Sequence, residues 1–289
     1  MAKSRSAWLL GFWLAGVTVA KAVALAPPGS APLDTNIIPI VAFGEEGRQD
    51  PVAFAKSRGL DPEAVRRSTS ASGLVTCGAA QGAGQLTLAN DVITTAAHVL
   101  FDEQGRLRAG SDQCHFLVVV GHEIVMTKID VRSIEAGARD PYRHSPSRDW
   151  AVARLLRAVY GITPYGIGKA FEGASVRFAS RGSVDWRQRS DLAMQQCALH
   201  QTLEAAPDGA REIAFDCDAG KGASGGALLD AQGKGLVAIF AGFHSANPNQ
   251  AAPFSAEHYN FAVTVEGAFR RAILAAAGVA RAAVGAIDR

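Results

Sequence analysis

The sequence has almost no excess charge of either sign, since 29 Lys and Arg residues stand against 27 Asp and Glu residues. A chain without a basic excess offers no electrostatic basis for binding nucleic acid, so we expect no nucleic-acid partner. Cysteine is also scarce, at four residues, and no two of them have the Cys-x-x-Cys spacing of a metal site. The sequence therefore predicts neither a bound metal nor any other cofactor.

Hydrophobic runs long enough to span a membrane are missing as well. The apolar run near the N-terminus covers residues 7–20, which is 14 residues, whereas a spanning helix needs about 20. Lys3 and Arg5 precede this run, and Ala20-Lys21-Ala22 forms a small-x-small cleavage site. We therefore expect a signal peptide over residues 1–22, export to the periplasm or the extracellular space, and no stable membrane association after cleavage. An uncleaved N-terminal anchor is the alternative.

The most informative segment that is present is Gly222-Ala223-Ser224-Gly225-Gly226, in which a serine lies between small residues. Small neighbours let the backbone turn tightly, and Gly222 tolerates dihedral angles that other residues avoid. Such a turn can direct the backbone N–H groups of Gly222 and Ser224 at one point, as the oxyanion of an acyl-transfer reaction requires. We therefore predict that Ser224 is a nucleophile beside an oxyanion hole.

A serine hydroxyl is a weak nucleophile near neutral pH and needs an adjacent base. His98 is the best candidate, because it follows an apolar strand and small residues in Ile93-Thr94-Thr95-Ala96-Ala97-His98, and imidazole titrates near neutrality. Asp149, which opens Asp149-Trp150-Ala151-Val152, would hold the His98 tautomer and stabilise the imidazolium. Asp140 is the second candidate for this orienting role, and a surface ion pair is the alternative role for Asp149.

The order of these groups along the chain separates two folds. Gly222-x-Ser224-x-Gly226 also fits the α/β-hydrolases, whose order is Ser, then Asp or Glu, then His. Too little chain follows Ser224 for the rest of such a fold. The order His98, Asp149, Ser224 resembles that of the trypsin-like serine peptidases of the chymotrypsin fold, in their shorter bacterial secreted form, over about residues 73–272.

This resemblance implies an all-β fold of two six-stranded antiparallel β-barrels with a C-terminal α-helix. Many short apolar segments between glycine-containing turns agree with barrels, whose closure leaves no exposed strand edges. The strands predicted from these segments are 74–77, 85–88, 91–95, 115–120, 122–129, 151–155, 175–179, 191–203, 213–215, 226–229, 235–240 and 259–263. Helical spacing of apolar residues over 265–284 predicts a helix that packs on the second barrel.

Three regions follow from these assignments. Residues 1–22 are the predicted signal peptide, and the peptidase domain is expected at 71–289, with the two barrels divided near residue 165. Residues 23–70 contain a Pro-rich stretch and a helix start at Asp61, and they are predicted to be an N-terminal extension or a removed propeptide. The sequence leaves both alternatives open.

Four cysteines in an exported chain predict two disulfides, for which three pairings exist. The resemblance favours Cys77–Cys114, which would brace the loop that carries His98. It also favours Cys197–Cys217, which would tie the loop before Ser224 to the preceding strand. The alternative is that all four are reduced core thiols.

The resemblance also implies where a substrate side chain would bind. Asp218 lies six residues before Ser224, where trypsins place the acidic base of the specificity pocket, so it predicts cleavage after Arg or Lys. Phe240, Ala241 and Gly242 resemble the pocket wall. Two alternatives remain: Asp218 is only a turn residue, or His244 near that wall binds an acidic side chain.

Ala223 departs from the family pattern. Animal trypsin-like enzymes have an aspartate at this position, which pairs with a newly formed N-terminus, and alanine cannot form that ion pair. We therefore predict no activation by N-terminal insertion. The overall expectation is a monomeric serine endopeptidase that acts on protein or peptide substrates. A latent or inactive binding module and an esterase on the same fold are the alternatives.

Overall fold

The computed structural model describes residues 40–110, 113–183, 191–248 and 250–279. The predicted signal peptide, residues 23–39 and the end of the predicted C-terminal helix lie outside these ranges. No helix within the described ranges has the length and hydrophobicity that a bilayer span requires. The same residues contain no group of three or more His, Cys, Asp or Glu that could hold a metal ion.

An extended segment over residues 40–49, which we call the N-terminal strap, precedes two short helices. The elements of this region are β1 (Ile40–Val41), α1 (Pro51–Ser57) and α2 (Pro62–Ser68). Asp50 and Asp61 cap the two helices, since each carboxylate accepts backbone N–H groups of the first turn, and each is followed by proline. The second helix therefore begins where the sequence predicts.

Six antiparallel strands close the first barrel in the order β2-β3-β4-β7-β6-β5. Its elements are β2 (Ser72–Cys77), β3 (Ala80–Leu86), β4 (Val92–Thr95), α3 (Ala97–Leu100), β5 (Cys114–Val120), β6 (Glu123–Ala136) and β7 (Ala151–Leu155). Alternate side chains of these strands, such as Val75 and Phe116, point into the barrel and are fully buried. Burial of these side chains supplies the main stabilising free energy of the barrel.

The second barrel has the order β13-β9-β10-β11-β15-β14 and closes where β14 pairs with β13. The elements that follow the first barrel are β8 (Gly166–Ile167), β9 (Ser175–Ser180), β10 (Ala193–Ala205), β11 (Arg211–Phe215), β12 (Ala219–Gly220), β13 (Ala227–Leu229), β14 (Gly235–Ser245), β15 (His258–Thr264) and α4 (Gly267–Ala276). Strand β8 adds to β14 in parallel, outside the closed barrel. The expected class of two six-stranded barrels and a C-terminal helix is therefore confirmed.

The C-terminal helix packs differently from the prediction. Its main contacts are with β4 and β7 of the first barrel, not with the second barrel as expected. The rings of Phe269 and Trp150 stack with centroids 4.9 Å apart, and both side chains are buried. This large aromatic contact explains why the helix returns to the first barrel.

Strand β3 is longer at its start than the predicted segment 85–88. Its first residues, Ala-Gln-Gly-Ala-Gly, have low intrinsic preference for strands. Close packing requires small residues in this part of the strand, because a Cβ at Gly82 would lie 2.5 Å from a methyl carbon of Val99. Tertiary contacts thus override a local signal that favoured a loop.

Both disulfides join the cysteine pairs that the resemblance favours. Cys77 and Cys114 lie opposite each other on β2 and β5, and Cys197 of β10 is bonded to Cys217. No free cysteine remains, since all four lie within the described residues. Cys217 stands directly before Asp218, so the second bridge anchors the start of the segment that leads to Ser224.

Candidate active site

A cleft of about 620 Å³ is lined by residues of both barrels. The lining residues are His98, Pro141, Tyr142, His144, Pro146, Asp149, Gly220, Lys221, Gly222, Ser224, Phe240, Ala241, Gly242, Phe243 and Phe261. The three residues predicted to be catalytic therefore share one cleft with the predicted pocket wall.

Asp149 contacts His98 twice. Its Oδ2 atom lies 2.5 Å from Nδ1 of the His98 ring, and its Oδ1 atom accepts the His98 backbone N–H at 2.9 Å. Asp149 is buried, whereas the His98 side chain is about one-fifth exposed. A buried carboxylate with two bonds to one residue fixes both the ring orientation and the tautomer of that histidine.

Strand pairing brings these two residues together. Strand β4 leads into the short helix that carries His98, and β7 begins two residues after Asp149. The two strands are neighbours with Thr95 opposite Ala151, so the ends of both strands lie at the same edge of the barrel. Asp140, the second candidate, instead pairs with His144 at 2.9 Å, and among the described residues it forms no hydrogen bond or ion pair with His98.

The backbone of the Ser224 loop requires glycine at two positions. Gly222 has φ of +93° and Gly225 has φ of +85°, which is the left-handed region that favours glycine. A Cβ at Gly222 would lie 2.0 Å from the Gly182 carbonyl oxygen, and one at Gly225 would lie 2.2 Å from that of Ala83. The glycine pattern therefore has a local steric cause.

Backbone hydrogen bonds hold the same loop from both barrels. The Ser224 carbonyl accepts from Ala83 N–H at 2.7 Å, and Gly225 N–H donates to the Phe240 carbonyl at 2.7 Å. Within the described residues, the N–H groups of Gly222 and Ser224 donate to no protein acceptor. No described acceptor therefore competes with a ligand oxygen for these two N–H groups, which an oxyanion hole requires.

The second ring nitrogen of His98 is also available. The described hydrogen bonds of His98 go to Asp149 and to the Arg108 guanidinium, which donates to the His98 carbonyl at 2.9 Å. None of them involves Nε2, so this atom can receive a proton in the cleft. A hydrogen bond between Ser224 and His98 is not formed among the described residues, and such bonds often tighten only when substrate binds.

Phe261, Lys221 and Tyr142 are among the lining residues that the sequence reasoning did not select. Phe261 lies on β15 opposite Gly242, Lys221 precedes Gly222, and Tyr142 is exposed near the His98 ring at 6.1 Å between centroids. Phe261 and Tyr142 lie in segments without any motif, so only the folded arrangement reveals them. His244, the alternative pocket residue, stacks on Tyr259 and is outside the lining.

Asp218 is placed differently from the prediction. Its side chain is buried outside the cleft lining, and its carboxylate accepts the backbone N–H groups of Phe43 and Gly47, each at 2.8 Å. Burial raises the pKa of this carboxyl, and the two N–H donors partly offset that effect. The carboxylate holds the N-terminal strap, so Asp218 does not line the cleft as expected for recognition of Arg or Lys.

Comparisons with known proteins bear on the fold. No protein-family model matches the chain, and no curated protein sequence does. The solved structure of a Glu endopeptidase in complex with MPD is 15% identical, covers 82% of this chain and 100% of that chain, and has a TM-score of 0.59. The inactive form of the Rv3671c protease is 18% identical, covers 75% and 96% of the two chains, and has a TM-score of 0.45.

The two closed barrels, the C-terminal helix and the structural match at a TM-score of 0.59 define one fold. It is the chymotrypsin-like fold of the trypsin-like serine peptidases, as the resemblance implies. At 15% identity the match concerns the fold, and a shared fold does not by itself carry a shared chemistry.

Proposed function

We propose that this protein is an exported serine endopeptidase that hydrolyses peptide bonds of protein or peptide substrates. The observation that carries the proposal is the double contact of Asp149 with His98, in the same cleft as Ser224. That contact leaves Nε2 of His98 for proton transfer. The chymotrypsin-like fold supports the same assignment.

In the first half of the reaction, Ser224 Oγ attacks the carbonyl carbon of the substrate while His98 Nε2 takes the hydroxyl proton. Asp149 stabilises the imidazolium that forms. The negative charge on the tetrahedral oxygen is bound by the N–H groups of Gly222 and Ser224, and removal of one such donor typically lowers the rate about 10²–10³-fold. The C–N bond then breaks as His98 returns its proton to the leaving amine.

The second half releases the acyl group from Ser224. His98 takes a proton from a water molecule, and the resulting hydroxide attacks the ester carbonyl of the acyl-enzyme. The tetrahedral intermediate collapses, the carboxylic acid leaves, and His98 returns the proton to Ser224 Oγ. The net change is addition of one water across the peptide bond, and no metal or cofactor is required.

The proposal includes export and a monomeric state. Disulfides form and persist in oxidising compartments, which agrees with the apolar run over residues 7–20 as a signal peptide. The three proposed catalytic residues share one cleft within a single chain, so the proposed site does not require a second copy.

Labelling with a fluorophosphonate tests the proposal directly, because this probe reacts with activated serines. We expect the exported protein to be labelled, and Ser224→Ala and His98→Ala to lose labelling. Ser175→Ala and His122→Ala, which lie outside the cleft lining, serve as matched controls and should be labelled like the wild type. Peptide and ester turnover are measured in parallel.

Each other outcome identifies an alternative. Labelling that persists in Ser224→Ala means that Ser224 is not the nucleophile. A wild-type protein that folds, is processed and is not labelled is a latent or inactive binding module. Labelling with ester turnover and without peptide cleavage identifies an esterase on this fold.

A further inference from the structure

The segment that leads to the proposed oxyanion hole has a single pairing partner among the described strands, and this partner is the N-terminal strap. Strand β12 (Ala219–Gly220) pairs with β1 (Ile40–Val41) in an antiparallel arrangement, with Val41 opposite Ala219. Gly222 lies two residues beyond β12. The strap therefore pairs with the strand that ends two residues before one of the two proposed oxyanion donors.

Asp218 fixes the strap at a second place. Its carboxylate accepts N–H groups from Phe43 and Gly47 at 2.8 Å each, and its own backbone N–H donates to Gln195 Oε1 at 2.7 Å. The residue is 1% exposed. One buried side chain thus connects the strap to the start of the segment that leads to Ser224.

Strand β15 holds the strap and this segment together. His258 Nε2 donates to the Ala42 carbonyl at 3.0 Å, and the Phe43 ring contacts the His258 ring edge-on at 5.2 Å between centroids. Two residues further along the same strand, Asn260 donates to the Cys217 carbonyl at 2.6 Å. Strand β15 is thus bonded both to the strap and to the start of the segment that leads to Ser224.

The composition of the segment explains why it needs such partners. Ala219, Gly220 and Gly222 have almost no side chain to pack, and a glycine loses more conformational entropy on ordering than any other residue. Backbone hydrogen bonds and strand pairing must therefore supply the order. In this molecule the pairing comes from the strap.

We propose that the strap is a permanent part of the active site and that Asp218 is a positioning residue, which orders the backbone from Ala219 to Gly222 and so places the Gly222 N–H. This inference rests on the proposed function. Asp218 acts through the strap and the segment, and it contacts neither substrate nor reacting atoms.

The proposal bears on whether residues 23–70 are a retained N-terminal extension or a removed propeptide. A cut after the basic pair Arg66-Arg67 would remove β1 and both backbone donors to Asp218. Any maturation cut that leaves an active enzyme must therefore lie before residue 40. The chain then needs no newly formed N-terminus to complete its site.

Asp218→Asn tests the positioning role, with Asp230→Asn as the matched control. Asp230 also accepts two backbone N–H groups, from Lys234 at 3.0 Å and Gly235 at 2.9 Å, but it lies in a turn outside the cleft lining. We expect Asp218→Asn to lower kcat and the fluorophosphonate labelling rate about tenfold, with a smaller change in KM, because the oxyanion donors act mainly in the transition state. Asp230→Asn should label at the wild-type rate even where its melting temperature falls.

Gly47→Val perturbs the same contact from the side of the strap. A Cβ at Gly47 would lie 2.3 Å from Gln195 Nε2 and 3.2 Å from Asp218 Oδ2, so either the strap or the Gln195 side chain, which accepts the Asp218 backbone N–H, must shift. We expect the same loss of labelling as in Asp218→Asn. In both variants, hydrogen exchange of the backbone amides of residues 217–222 should become faster, while the first barrel keeps its protection.

These measurements distinguish failure of this inference from failure of the proposed function. If the wild-type protein is not labelled, the proposed function fails, and hydrogen exchange still reports whether the strap orders residues 217–222. Wild-type exchange and labelling in folded Asp218→Asn would overturn the inference. N-terminal sequencing of labelled enzyme adds a third test, because a fully labelled chain that begins after residue 41 would also overturn it.

Discussion

Phe261 lies directly opposite Gly242 in the β14–β15 pair, and its ring covers the place where a side chain at position 242 would be. A Cβ built at Gly242 would come within 2.6 Å of the tip of that ring. Ala241 and Gly242 would by themselves leave an open slot in the cleft wall. The aromatic ring narrows this slot, and Asp218 supplies no charge to it.

We therefore predict a preference for a small apolar residue before the cleaved bond, and a wider preference in Phe261→Ala. Removal of the ring should raise the ratio of kcat/KM for a substrate with Phe at that position to kcat/KM for one with Ala by about tenfold or more. The enlarged hydrophobic pocket can then accommodate a larger side chain. The preference is measured as kcat/KM on matched peptides that carry Ala, Phe, Glu or Arg before the cleaved bond. A wild-type preference for Arg that Asp218→Asn abolishes would contradict the prediction.

Asp149→Asn should lower kcat about 10⁴-fold with little effect on folding. The amide can still accept the His98 backbone N–H, but it disfavours the tautomer of His98 that carries its proton on Nδ1. Asp140→Asn is the matched control, because Asp140 is close in sequence and pairs with His144 instead. Equal losses of kcat in the two variants would contradict the assignment of Asp149.

The motifs could be predicted from the sequence because their causes are local. Gly222 and Gly225 adopt positive φ values within one loop, and His98 follows its strand by three residues. The side-chain direction of Asp218 could not be predicted, because its partners Phe43 and Gly47 lie more than 170 positions away along the chain.

The packing of the C-terminal helix was equally hidden from sequence patterns. Apolar spacing shows that the helix has a buried face, but it does not show which surface that face meets. Trp150 directly follows Asp149 in the chain, and its partner Phe269 lies in the last helix, more than 100 positions away. Sequence spacing does not indicate that two such distant rings meet.

Phe269→Ala should reduce the free energy of unfolding by about 3–5 kcal/mol, because it removes a fully buried ring that stacks on Trp150. Denaturant unfolding measures the change. Phe171→Ala, at a residue whose side chain is 61% exposed, is the control and should have little effect. Equal stabilities of the two variants would mean that the helix does not stabilise the first barrel.

Glu212 makes the stability of the protein depend on pH in the opposite direction from a carboxylate whose pKa is lowered by folding. Its pKa is raised to about 7, mainly by burial and also by the like charge of Glu204, which lies opposite it on β10. The folded state therefore binds the proton of Glu212 more tightly than the unfolded state, whose pKa is 4.5. Its contribution to stability is present below pH 4.5 and is lost as the pH rises through about 7.

Glu212→Gln should therefore match the wild type in melting temperature near pH 4.5 and exceed it at pH 8, because the neutral amide resembles the protonated carboxyl. Thermal unfolding at a series of pH values gives the difference in melting temperature between the two proteins. The effects of other titrating groups cancel in this difference. Glu257→Gln, at an exposed position of the same barrel, should show a constant difference across the series. If the gain of Glu212→Gln is also constant with pH, then burial does not hold Glu212 in its protonated form, and its carboxylate is solvated in the folded protein.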